Sequence, residues 1–153
     1  MKRYLFGGLA GFCLGLLVMG FTVHLSADEQ AQGIFVRVTD MEWKGQESHG
    51  PKTALKWILG RESSVKMAAM ESFWITSIGA KGFNTPHTNA GEEQIYYILE
   101  GEGRMVIGDK EYPAKAGDAG YFPNGVKHGF YNDGDKPAMF LGIGTKVADG
   151  KGK

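Results

Sequence analysis

From Gln94 to the C-terminal region, short apolar runs recur with turn-forming residues between them. Strand-like segments span Gln94–Leu99, Arg104–Ile107, Glu111–Ala114, Ala119–Phe122, Lys127–Tyr131 and Ala138–Ile143. Their separators, Glu100–Gly103, Gly108–Lys110, Lys115–Asp118, Pro123–Val126 and Asn132–Pro137, are rich in Gly, Pro, Asn and Asp. Upstream, Met67–Ile78 carries Phe73, Trp74, Ile75 and Ile78 and reads as a longer strand closed by Gly79. Lys56–Leu59 reads as a strand ended by Gly60, although Leu55, Ile58 and Leu59 also fit a helical stripe over Thr53–Leu59. Ile34–Val38 predicts a first strand, and Gly45–Pro51 a loop. Short strands with such regular turn signals predict an all-β sandwich or barrel.

The N-terminal pattern is different. Tyr4–Leu25 holds about 22 positions without a charge, long enough to cross a bilayer as a helix. Lys2 and Arg3 precede it and would stay cytoplasmic, which exports the remainder. A cleaved signal peptide is the alternative, with a cut after Ala27, but its apolar region is normally shorter. The expected organisation is a signal anchor or signal peptide over 1–27, a linker over 28–33, a β domain over 34–147 and a polar tail over 148–153. The domain is then periplasmic or otherwise extracytoplasmic, tethered to the inner membrane by residues 4–25.

Composition narrows the picture. The 153 residues include 17 basic and 17 acidic side chains, and without Lys2 and Arg3 the remainder has an acidic excess of two. No basic run exists, so nucleic acid is not an expected partner. The 24 glycines follow no three-residue period, which excludes collagen, and fit a chain with many tight turns. The lone Cys13 lies in the apolar segment, so neither a disulfide within the chain nor a cysteine metal site is available.

Two stretches carry the candidate chemistry. Gly117, Pro123, Gly125, His128 and Asn132 fall at the spacing G-x5-P-x-G-x2-H-x3-N. Upstream, His87, Asn89, Gln94 and Gly101 fall at the spacing of H-x-H-x4-E-x6-G, with two of its residue types changed. Together these resemble the two motifs of the cupin superfamily. The resemblance implies a double-stranded β-helix, or jelly-roll barrel, preceded here by the N-terminal hydrophobic helix. It also implies a site inside the barrel and, as often in the family, a homodimer formed by sheet-edge pairing.

Strand parity agrees with an internal site. Residues two apart on a strand share a face, which groups Gln94 with Tyr96 and His128 with Phe130. The family's commonest metal shell has two histidines and a carboxylate from the first motif and one histidine from the second. Carried over by position, the shell here is His87, Asn89, Gln94 and His128. Two imidazoles and two neutral amides would bind a divalent transition metal (Mn, Fe, Zn or Ni) weakly. Glu92 shares the parity of Gln94, and Glu93 would replace it if the spacing were one shorter. Tyr96, Phe130, Trp74 and Phe122 are candidates to line the ligand cavity or to fill the barrel core. His49, beside Gly50 and Pro51, is expected to be a solvated loop residue. His24 belongs to the apolar segment.

Three functions follow from these readings. One is an exported protein binding a small polar molecule, such as a sugar or sugar acid, at a weak metal site. Its chemistry would be Lewis-acid polarisation of a hydroxyl or carbonyl. Another is a metal-dependent dioxygenase, which the missing carboxylate disfavours. The third is a non-catalytic, metal-free ligand-binding or accessory module. Apart from Tyr96 or a displaced Glu92, no residue stands out as a general base, so no catalytic residue is assigned.

Overall fold

The computed structural model describes residues 33–147. Ten strands account for almost all regular structure: β1 (Lys44–Gly45), β2 (Thr53–Gly60), β3 (Met70–Ile78), β4 (Phe83–His87), β5 (Glu92–Glu100), β6 (Glu102–Ile107), β7 (Lys110–Lys115), β8 (Ala119–Phe122), β9 (His128–Tyr131) and β10 (Ala138–Lys146). They form a six-stranded sheet in the order β1-β2-β3-β10-β5-β8 and a four-stranded sheet in the order β4-β9-β6-β7. Every pairing is antiparallel. The all-β expectation therefore holds. Among the described residues no helix is long and apolar enough to cross a membrane. The predicted apolar helix, the possible cleavage after Ala27, His24 and the tail all lie outside those residues.

Five strands, β2, β5, β6, β7 and β10, run longer than the sequence pattern indicates, because pairing with neighbours extends them into flanking residues, whereas β3 and β9 begin later than expected. Thr53–Gly60 is a strand throughout, so the helical alternative for Thr53–Leu59 is overturned. Ile34–Val38 forms no strand. Val38 instead opens a 3-10 turn over Val38–Asp40, and Phe35 projects into solvent.

Period-two patterning sets the core. On β5, Gln94, Tyr96 and Ile98 are buried while Ile95, Tyr97 and Leu99 face outward. The ladders arrange the inward residues of the large sheet in layers. Gly144 pairs with Ser72 and Gln94 nearest the mouth, Gly142 with Trp74 and Tyr96 below, and Phe140 with Thr76 and Ile98 below that. Gly142 is required where it stands, because a Cβ there would collide with the Trp74 indole. The four-stranded sheet closes this face with Met105, Phe130 and His128. Apolar side chains fill the closed end, and polar ones collect toward the mouth.

Asn132, the last residue of the second motif, staples the fold. Its buried amide nitrogen donates toward the carbonyls of Ile78, Gly79 and Lys136, and its Oδ1 accepts from the Gly134 N–H. One side chain thus satisfies the backbone of two turns at the closed end of the barrel.

Candidate functional site

Two departures from a regular ladder place the site's histidines. Asn84 pairs with Phe130 and His87 with His128, so three steps on β4 answer two on β9. The extra residue is a bulge at Thr85–Pro86. Without it, strand parity would send Asn84 and His87 to opposite faces; with it, both reach the cavity. Proline is tolerated there because β4 is an edge strand. The imidazoles of His87 and His128 lie 4.7 Å apart between ring centres.

The second departure is the turn Glu47–His49, a single 3-10 turn held from both sides. Gln46 N–H donates to Thr53 O at 2.8 Å, and Thr53 Oγ1 donates to Phe83 O at 2.8 Å. Gly50 follows at φ 129°, packed so closely on the Phe83 carbonyl that no other residue would fit. This clamp swings His49 over the barrel mouth, where its ring stands edge-on to His87 at 4.8 Å between centres. The expectation of a solvated loop histidine is therefore overturned. Burial, reinforced by the nearby His87, His128 and Arg61, pushes the His49 pKa down to about 4.

The cavity behind these rings is about 170 Å3. Trp74, Thr76 and Tyr96 form its floor, Asn84 and His87 one wall, and Gln94 with Asn89 the other. His128 is almost fully buried behind the two amides. Its Nε2 lies 3.1 Å from Gln94 Oε1 and 3.4 Å from Asn89 Nδ2. Its Nδ1 lies 2.9 Å from Val126 O, an acceptor, so the ring proton sits on Nδ1 and Nε2 presents a lone pair. His87 is held the same way, with Nδ1 at 2.7 Å from Thr85 O. Burial lowers the His128 pKa, which keeps the ring neutral.

The other predicted positions divide. Trp74 and Tyr96 line the cavity. The Trp74 indole N–H donates to Thr76 Oγ1 at 3.1 Å, and burial raises the Tyr96 pKa, so its hydroxyl stays protonated. Phe122 stacks flat on the hidden face of His128 at 4.5 Å and fixes that ring without lining the cavity. Phe130 belongs to the apolar core against Phe140, because its Cβ sits one step deeper than His128. Neither carboxylate beside Gln94 enters the site. Glu92 pairs with Arg61 at 2.5 Å and accepts from Ser72, and Glu93 accepts from Tyr121 on the outer face. Arg104 and Lys127, whose charges at strand ends also suggest carboxylate or sugar contacts, pair instead with acidic neighbours away from the cavity.

Two further residues have no signal in the motifs. Asn84 Oδ1 is buried and has no hydrogen-bond partner among the described residues. Arg61, seated over the Trp57 ring and paired with Glu92, lies at the mouth. A larger open groove of about 820 Å3 between residues 33–44 and β2 contains no histidine and is not this site.

Residues 74–144 match the family described as Cupin domain. The solved structure of a predicted oxalate decarboxylase from Thermotoga maritima superposes with a TM-score of 0.66 at 26% identity, covering 74% of this chain and all of that one. The chain belongs to the cupin superfamily. An oxalate-binding protein of Thermotoga maritima is 40% identical over 57 residues, 37% of this chain and 47% of that protein. An uncharacterised protein of Methanocaldococcus jannaschii is 35% identical over 77 residues, 50% of this chain and 58% of that protein. This cupin therefore spans about half the length of the curated relatives it matches. KdgF from Halomonas sp. shares the fold at a TM-score of 0.59 and 19% identity.

Cupins commonly bind divalent metals, and the donor set here can be tested against one. Among the described residues no three His, Cys, Asp or Glu side chains already converge on one point. The fit rests instead on an imidazole and an amide. Two ligands each about 2.1 Å from an ion, at right angles, lie about 3.0 Å apart. The 3.1 Å between His128 Nε2 and Gln94 Oε1 matches that spacing, with two lone pairs facing each other. These residues fit a weakly held cation.

Proposed function

We propose that this cupin binds a small hydroxyl-bearing carboxylate inside the barrel at a weak divalent-metal site. The protein is read as exported and tethered by residues 4–25, with a homodimer as its expected assembly. His87, His128 and Gln94 would hold the ion, with Asn89 beside them. A bound cation would supply Lewis-acid polarisation of a ligand hydroxyl, carbonyl or carboxylate. The observation that carries the reading is the opposed pair of acceptors, His128 Nε2 and Gln94 Oε1.

The chain's own residues narrow the ligand class. A cavity of about 150 Å3 encloses one benzene, so 170 Å3 suits a ligand of roughly six to eight non-hydrogen atoms. A short hydroxy acid is enclosed by that volume, and an intact hexose acid is not. Asn84 Oδ1 lacks a donor and would take one from a ligand hydroxyl. The name of the oxalate-binding relative supports a small acid as well.

A metal-free binding module is the second reading, and Gln94 itself favours it. Turning its amide over would let Nε2–H donate to His128 and satisfy both groups without a cation. A dioxygenase is disfavoured because Glu92 and Glu93 are engaged elsewhere. The test is full-length protein purified without chelators, assayed for bound metal and for binding of short hydroxy acids and oxalate. The proposal expects weak metal binding and hydroxy-acid affinity that falls in His128→Ala. Ligand affinity unchanged by His87→Ala and His128→Ala would establish the metal-free module. Stoichiometric, firmly held iron with oxygen consumption would establish the dioxygenase.

A further inference from the structure

We propose that His49 is a third imidazole ligand of the cation site, filling the place that Asn89 leaves empty in the first motif. The inference rests on the metal reading above, and it adds a residue that lies 38 positions before the first motif's own histidine.

Spacing supports it first. Two imidazoles bound to one ion at about 2.0–2.1 Å have ring centres about 4.5–5 Å apart when the ligands subtend a right to tetrahedral angle. The adjacent pairs here stand at 4.8 Å for His49–His87 and 4.7 Å for His87–His128. Two of the three ring pairs, both through His87, thus stand at the separation of neighbours on one ion, although among the described residues the nitrogens do not converge. With His128 held by the Val126 carbonyl and Phe122, the remaining adjustment is rotation of the His49 and His87 rings about their terminal torsions, which are soft.

Anchoring supports it second. His87 and His128 each commit Nδ1 to a backbone carbonyl two residues back, and His49 Nδ1 lies 3.0 Å from Ser48 Oγ. Such local oxygens fix the orientation of metal-binding imidazoles and leave Nε2 as the ligand atom. The clamp through Thr53, Phe83 and Gly50 makes the position of His49 a property of the folded barrel. Three imidazoles and the Gln94 oxygen form a mostly nitrogen set, which suits Zn, Ni or Cu better than Mn or Mg.

Copper(II) is the probe, because pulsed EPR counts the imidazoles bound to it. In the full-length wild type we expect three imidazoles. His49→Gln should show two and bind Cu(II) and Zn(II) at least about tenfold more weakly. Circular dichroism and thermal melting confirm that the variant folds, and Ser48→Ala serves as a milder change expected to weaken binding less. Two imidazoles in the wild type, with affinity unchanged in His49→Gln yet abolished in His128→Ala, would overturn the inference while the metal site stands. No binding by the wild type would overturn both.

Discussion

Nε2 of His128 and Oε1 of Gln94 face each other at 3.1 Å inside the barrel, and neither carries a proton to share. The Val126 carbonyl accepts the ring proton at the opposite edge, and Phe122 stacks flat on the ring at 4.5 Å. An arrangement of two acceptors at this distance is stabilised by a cation or by reversal of the amide. Gln94 is therefore the residue on which the two functional readings part.

Gln94→Glu should tighten Mn, Fe or Zn binding by roughly 10–100-fold, since a carboxylate replaces a neutral oxygen in the shell. Without metal the same variant should melt below wild type, because Gln94 is buried and a carboxylate there lacks a cationic partner. Calorimetric metal titration and melting curves with and without metal check both parts. Equal metal affinity in the two proteins would remove Gln94 from the site.

Asn132→Ala should lower stability by about 2–3 kcal/mol, because it leaves buried backbone groups of two turns without partners. The melting temperature should fall by roughly 5–10 °C. Metal affinity measured below the transition should not change, since Asn132 sits at the closed end of the barrel.

Gly142→Ala should cost about 1–3 kcal/mol by forcing the Trp74 indole out of its place. Trp74 and Tyr96 share the cavity floor at 6.0 Å between rings, so ligand affinity should fall with stability. A change in tryptophan fluorescence without loss of ligand affinity would show that the floor does not touch the ligand.

Acid should weaken the outer face of the four-stranded sheet. The Arg104 guanidinium, bonded through Nε and Nη2 to Asp133, holds that carboxyl below its usual range. A depressed carboxyl stabilises the fold above its unfolded pKa, and this contribution is lost as pH falls through the folded value. The gap in urea midpoint between wild type and Asp133→Asn should stay constant above about pH 5 and close on further acidification. A gap that widens in acid would contradict the assignment.

If residues 4–25 anchor the chain, the full-length protein should remain with membranes through alkaline carbonate washing, at the mass of the uncleaved chain. Recovery in the soluble periplasmic fraction, shortened by about 27 residues, would mean a cleaved signal instead.

Much of the barrel was legible in the residues alone. Alternation on β5 placed Gln94, Tyr96 and Ile98 inside, and motif spacing brought His87 and His128 side by side, because strand period and turn chemistry are local properties. The all-β fold class and the nearness of His87 to His128 were therefore legible in the sequence itself. Ile34–Val38 misled because apolar alternation makes a strand only where the segment pairs with a neighbour, and among the described residues it does not. Only the tertiary structure decided the rest. The bulge at Thr85–Pro86 turns Asn84 and His87 to one face, and that depends on the partner strand β9. His49 reaches the barrel mouth through contacts between a loop and β4 that lie far apart in the chain. Such contacts leave no period or spacing to read, since they are set by where two distant segments meet in space.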